Sequence, residues 1–105
     1  MSDASSPFET DPRLLRLSPE DNVAAVTATI EAGEVIRIFG SAVRVSQAIS
    51  TGHKIAILPV VTGETVRKYG APIGYATQEI HPGDYVHTHN LRSGYLPTYT
   101  RQEFS

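Results

Sequence analysis

The chain of 105 residues contains no cysteine, no tryptophan and a single methionine. Without thiols it can form neither a disulfide framework nor a thiolate metal site. No apolar run approaches the ~18 residues that a membrane-spanning helix requires. The opening Met1-Ser2-Asp3-Ala4-Ser5-Ser6-Pro7 lacks the basic and apolar regions of a signal peptide. Nine Lys and Arg against eleven Asp and Glu give a formal charge of −2. That balance excludes the basic footprint needed to hold nucleic acid or an anionic membrane surface. These absences predict a soluble, cytoplasmic chain. At this length it is one domain, burying roughly 65% of its unfolded surface around a modest core.

What is present is a series of short β-prone runs separated by turns. Arg13 to Leu17 reads as a first strand, followed by a turn at Ser18-Pro19-Glu20-Asp21-Asn22. Val23–Thr29, Glu34–Phe39 and Val43–Val45 follow as strands, rich in β-branched residues. Lys54–Val61 is the most apolar segment and the expected core strand, with Pro59 forcing an edge or a bend near its end. Thr65–Tyr69, Ile73–Ala76 and Tyr85–Asn90 complete the set, and only Ser46–Ser50 leaves room for a helical turn. Ala32-Gly33-Glu34, Thr62-Gly63-Glu64 and Pro82-Gly83-Asp84 repeat one pattern, a small residue or proline, then glycine, then an acid. Glycine there supplies the positive φ of a type II turn. The expected fold is all-β, with at most one short helix, over residues 13–91. Residues 1–12 read as a disordered or loosely docked segment. Residues 92–105 form a tail whose Tyr95, Leu96, Tyr99 and Phe104 make it richer in apolar surface than a disordered tail usually is, so it is expected to lie on a partner.

Polar chemistry concentrates at His87-Thr88-His89-Asn90. On a strand, His87 and His89 would share one face with Cα atoms roughly 6.5–7 Å apart. Two imidazoles there can ligate a metal, contact a carboxylate or exchange protons near neutral pH. As a metal site the pair is incomplete. His53 and Lys54 follow Gly52 at the mouth of the core strand. Being adjacent they face opposite ways, so His53 is assigned to the site and Lys54 to capping it or pairing with an acid. Tyr69-Gly70-Ala71-Pro72-Ile73-Gly74 reads as a loop whose glycines permit close backbone approach. Lys68 reads as a solvated strand charge, and His81, before proline, as exposed and inert.

Three blocks in order carry a family resemblance: Gly52-His53-Lys54-Ile55-Ala56, Lys68-Tyr69-Gly70-Ala71-Pro72-Ile73-Gly74 and His87-Thr88-His89-Asn90-Leu91. Together they resemble the small N-terminal module of the altronate dehydratase family, an SAF domain with a β-clip fold. Asp21-Asn22-Val23-Ala24 and Ala32-Gly33-Glu34 fit the earlier part of the same pattern. In that family the module is fused to a large catalytic domain or supplied as a separate small subunit, and the sulfolactate sulfo-lyase alpha subunit is similar in size. The resemblance therefore implies a stand-alone small subunit or an excised domain of a two-component sugar-acid dehydratase, an altronate/galactarate dehydratase-like hydro-lyase inactive without its large subunit. Such enzymes remove the proton on C2 of a sugar acid, expel the group β to the carboxylate, and release a 2-keto acid. The resemblance implies catalytic roles for His53, His87 and His89 and substrate contacts from Lys54, Asn90 and Tyr69. It also implies an iron(II) or manganese(II) ion held mainly by the large subunit, with His87 and His89 as contributing ligands; a divalent cation stabilises the charge that builds up beside the carboxylate. The alternatives are a sulfolactate sulfo-lyase alpha subunit and a non-catalytic carbohydrate-binding SAF module. In isolation, the small core and the apolar tail predict self-association into a homo-oligomer.

Overall fold

The computed structural model describes residues 9–93. Short β-branched runs there make nine strands: β1 (Leu14–Leu15), β2 (Val23–Val26), β3 (Val35–Ile38), β4 (Ser41–Arg44), β5 (Lys54–Ala56), β6 (Thr65–Lys68), β7 (Ala71–Ala76), β8 (Tyr85–Val86) and β9 (Leu91–Ser93). Three antiparallel sheets result, in the orders β1-β2-β5-β8, β3-β4 and β6-β7-β9.

Side chains alternate across a strand, so the central four-stranded sheet has two apolar faces. Ala24, Val26 and Ile55 on one face join Ile36, Ile38 and Val45 from the β3–β4 hairpin and its exit. Val23, Ala56 and Val86 on the other join Val66 and Ala76, with Ile73 and Leu91 packed alongside. The described residues form a three-layer stack with two small cores. Each fully buried Ile or Val is worth roughly 1.5–3 kcal/mol, so few can be lost from a domain of ordinary marginal stability.

One pair of hydrogen bonds closes five turns among the described residues. In Ser18–Asp21, Glu31–Glu34, Val61–Glu64, His81–Asp84 and His87–Asn90, the last residue's N–H donates to the first residue's carbonyl oxygen. Its side-chain oxygen then accepts the first residue's N–H, at 3.2, 2.7, 2.9, 2.8 and 3.0 Å respectively. The sequence motif thus has a second function beyond glycine: the acid closes the turn it ends. Gly33, Gly63 and Gly83 sit at φ +88, +87 and +94, the left-handed region that a type II turn requires.

Several sequence expectations are corrected. Ser46–Ser50 is not helical, and no helix occurs among the described residues; Ile49 instead bridges Ile30 in an antiparallel pair. The expected long core strand ends at Ala56 and resumes only as a bridge from Val60 to Ile80, past the bend that leads into Pro59. Tyr69–Gly74 is not a loop: Tyr69 and Gly70 form a hairpin tip, and β7 starts at Ala71. Most consequentially, His87–Asn90 is a turn rather than the end of a strand, because the Asn90 amide folds back on His87. The chain then re-enters a sheet as β9, through Ser93.

Glu9, Thr10 and Asp11 lie against the β3–β4 hairpin, bonded to Gly40, Phe39 and Arg37. Of the docking tail expected over residues 92–105, Arg92 and Ser93 belong to β9 and the rest lies outside the described residues. Among the described residues no helix is long and apolar enough to cross a membrane.

Candidate functional site

β5 and β8 pair antiparallel, with Lys54 opposite Val86 and Ile55 opposite Tyr85. Extending that register by one step sets His53 opposite His87. Directly opposite residues of an antiparallel pair point to the same face, so His53, Ile55, Tyr85 and His87 share one side of the sheet. The rings meet accordingly. Tyr85 stacks on His87 with centroids 5.5 Å apart and planes at 15°. His53 lies 5.5 Å from Tyr85 and 6.0 Å from His87. The Tyr85 hydroxyl is 2.8 Å from His53 Nδ1. His89, carried by the turn, brings its ring to 5.7 Å from Tyr85. All three imidazoles are exposed, and they lie on open surface, there being no cavity among the described residues.

The side chain that folds the turn carrying His87 and His89 is Asn90, which is only 2% exposed. Its Oδ1 accepts the His87 N–H at 3.0 Å and its Nδ2 donates to the Tyr85 carbonyl at 2.9 Å. Asn90, expected to touch substrate, is engaged at both ends in folding the turn. His53 has a related setting. Ser50-Thr51-Gly52-His53 is a glycine turn closed by its backbone bond, and His53 stands where the comparable glycine turns carry an acid. Its ring is engaged by Tyr85 instead.

The structure does not bring the other two candidates to this cluster. Lys54 aligns with Val86, on the face that packs on β6–β7. Burial, and secondarily the charge of Lys68, hold its ammonium below the usual lysine range. Neither lysine has an acidic partner within ion-pair distance among the described residues, so the expected pairing of Lys54 with an acid is absent there. Tyr69 sits at the tip of the β6–β7 hairpin, beneath the Lys68 ammonium at 4.7 Å. Its N–H donates to Asp21, which precedes β2, whereas His53 bonds Val26 at the far end of that strand. His81 is exposed and lies 3.7 Å from Asp84.

Sequence reasoning missed Tyr85, which touches all three histidine rings. It also missed a longer repeat. Gly33-Glu34-Val35-Ile36-Arg37-Ile38-Phe39-Gly40 and Gly63-Glu64-Thr65-Val66-Arg67-Lys68-Tyr69-Gly70 match at an offset of 30 positions. Both form hairpins whose tips, Phe39-Gly40 and Tyr69-Gly70, have positive φ at both residues. Each tip's two N–H groups are accepted by a preceding segment: Thr10 Oγ1 and the Glu9 carbonyl for one, the Asp21 carboxylate for the other.

With this geometry in hand, comparison with known proteins is informative. The family profile of the altronate/galactarate dehydratase SAF domain matches residues 12–94. The chain belongs to that family. It is 34% identical over 79 residues to altronate dehydratase of Bacillus subtilis (strain 168), and 37% identical over 79 residues to altronate dehydratase of Escherichia coli (strain K12). Each alignment covers 75% of this chain but 16% of the relative, so the chain spans about one-sixth of those proteins' length. It is also 45% identical over 49 residues to the (2R)-sulfolactate sulfo-lyase subunit alpha of Chromohalobacter salexigens, covering 47% of this chain and 52% of that subunit. The relatives are lyases by name, and the all-β architecture is that of an SAF domain.

The residues present do not by themselves fit a bound metal. No group of three or more His, Cys, Asp or Glu among the described residues could hold an ion, and Nδ1 of His53 is engaged by Tyr85.

Proposed function

We propose that this SAF domain is the small subunit of a two-component, cytoplasmic sugar-acid dehydratase. Its imidazole cluster then forms one wall of an active site whose remaining groups, and any iron(II) or manganese(II), belong to a large subunit. The observation that carries this reading is the exposed His53–Tyr85–His87–His89 group at one end of β5 and β8. Exposed imidazoles gathered around one tyrosine, on a turn folded by a buried amide, are arranged for contact with something outside the chain. Membership of the altronate/galactarate dehydratase SAF family supports a lyase reaction as the class.

In the proposed chemistry the C2–H bond breaks, the C3–O bond breaks, water leaves, and the enol so formed becomes the 2-keto acid. An imidazole suits two tasks here: hydrogen bonding to the substrate carboxylate, and donating a proton to the departing hydroxyl. General acid catalysis of the second kind is typically worth 10²–10⁴-fold. His53, His87 and His89 are the groups able to do either.

A second reading, as the alpha subunit of a sulfolactate sulfo-lyase, is favoured by the 45% identity to such a subunit. The leaving group would then be sulfite. The test is reconstitution: the chain is mixed with a large dehydratase subunit, and 2-keto acid is measured from altronate, galactarate and sulfolactate. The expected result is no product from either polypeptide alone and product from the pair. A large subunit equally active without this chain would refute the reading and leave a carbohydrate-binding module.

A further inference from the structure

Tyr85 is tied to every part of the cluster. Its ring is partly buried against the larger core and so has a fixed base. Its carbonyl receives the Asn90 amide that folds the His87–Asn90 turn. Its ring face lies parallel to His87, and its hydroxyl reaches His53 Nδ1 at 2.8 Å. A tyrosine suits this place because it offers a rigid apolar body and a polar tip.

We propose that Tyr85 is the positioning residue of the cluster: its phenol donates to Nδ1 of His53 and fixes the tautomer whose Nε2–H faces outward, while its ring holds His87. A neutral imidazole has one donor and one acceptor nitrogen. A phenol carries a single proton, and no other acceptor lies within hydrogen-bond distance of the Tyr85 hydroxyl among the described residues. Donation to Nδ1 satisfies both groups at once. The reverse orientation would leave the phenol proton without a protein partner. His53 thereby presents an N–H donor to an anionic oxygen, the polarity needed to hold a substrate carboxylate. The role in turnover rests on the lyase reading above; the tautomer does not.

The experiment uses the full chain, labelled with ¹⁵N, as wild type, Tyr85→Phe and Tyr85→Leu. Long-range ¹H–¹⁵N spectra report which ring nitrogen of each histidine is protonated. Wild type should show His53 protonated at Nε2 only. Tyr85→Phe should release His53 into a mixture of tautomers and leave His87 unchanged, because the stacked ring is kept. Tyr85→Leu should disturb both. A His53 tautomer unchanged in Tyr85→Phe overturns the inference. In an active reconstituted pair, Tyr85→Phe should lower kcat about tenfold, the effect of one lost hydrogen bond, with little change in KM. An unchanged kcat alongside a shifted tautomer overturns the positioning role. A wild-type pair with no lyase activity refutes the proposed reaction instead, and the tautomer spectra then decide this inference alone.

Discussion

Replacing Asn90 by Asp tests why the chain carries an amide at this one turn. In four of the five reciprocal turns the closing residue is an acid: Asp21, Glu34, Glu64 or Asp84. By analogy an acid at position 90 should serve. The structure says otherwise, because the Asn90 side chain must also donate, to the Tyr85 carbonyl at 2.9 Å. Aspartate keeps the bond from the His87 N–H, loses the donor, and sets a carboxylate oxygen against a carbonyl oxygen in a site that leaves residue 90 only 2% exposed. One lost bond costs about 1 kcal/mol and an unpaired, part-buried carbonyl another 1–3, so Asn90→Asp should cost roughly 2–4 kcal/mol. Asn90→Ala, losing both bonds, should cost at least as much. Against a typical total of about 5–15 kcal/mol this is a large fraction. In urea titrations with slopes of roughly 1–2 kcal/mol/M, the midpoint should fall by about 1–4 M. Glu64→Gln, which keeps its acceptor at an exposed turn, should remain near wild type. Equal midpoints for wild type and Asn90→Asp would refute the reasoning.

A methyl group added at Gly74 would overlap the Arg92 carbonyl oxygen and meet Leu91 Cδ1 at 3.0 Å, whereas one at Gly33 meets nothing within 4 Å. Gly74→Ala should therefore detach β9, costing about 3 kcal/mol in lost pairing and packing, against about 1 kcal/mol of backbone strain for Gly33→Ala. Amide exchange at Leu91–Ser93 together with denaturation midpoints checks this; similar losses for the two variants would count against it. Arg13 bonds Asp11 and Glu34 at 2.8 and 3.0 Å and holds both carboxyls below their usual range, the side-chain bond being the main cause in each. Groups whose folded pKa is depressed contribute stability above the ordinary carboxylate range and lose it as pH falls through the folded values. The advantage of wild type over Arg13→Met should thus be greatest at about pH 6 and shrink as pH falls below the ordinary carboxylate range, leaving what the Arg13 bond to the Thr29 carbonyl contributes; a pH-independent difference would contradict the linkage.

Much of the fold was legible in the sequence. The β-branched runs at Val23, Val35 and Thr65 became strands, and the Gly-acid motif became turns with the expected positive φ. Strand lengths were overestimated because the turns consume residues that alternate as strands do. The plainest case is His87-Thr88-His89-Asn90, whose alternation fits a strand until Asn90 is seen to close a turn with the same pair of bonds that Glu34 or Asp84 makes. Counting from residue to acid or amide, three apart, would have revealed it. The histidines still converge, but a turn and a cross-strand register bring them together rather than strand alternation alone. Tyr85 was hidden because its role depends on facing Ile55 across two strands, and no local pattern encodes that pairing. Lys54 illustrates the opposite: adjacent to His53, it was readable as pointing the other way.

The most direct measurement is kcat of the reconstituted lyase pair with His53→Asn, His87→Asn, His89→Asn and His81→Asn in turn. His81 is an internal control, an exposed imidazole outside the cluster that lies 3.7 Å from Asp84. Loss of a proton donor or carboxylate contact from the cluster should lower turnover by about 10²-fold or more for at least one of the first three, with His81→Asn at the wild-type rate. Four variants that all turn over like wild type would show that the imidazole cluster has no part in the reaction.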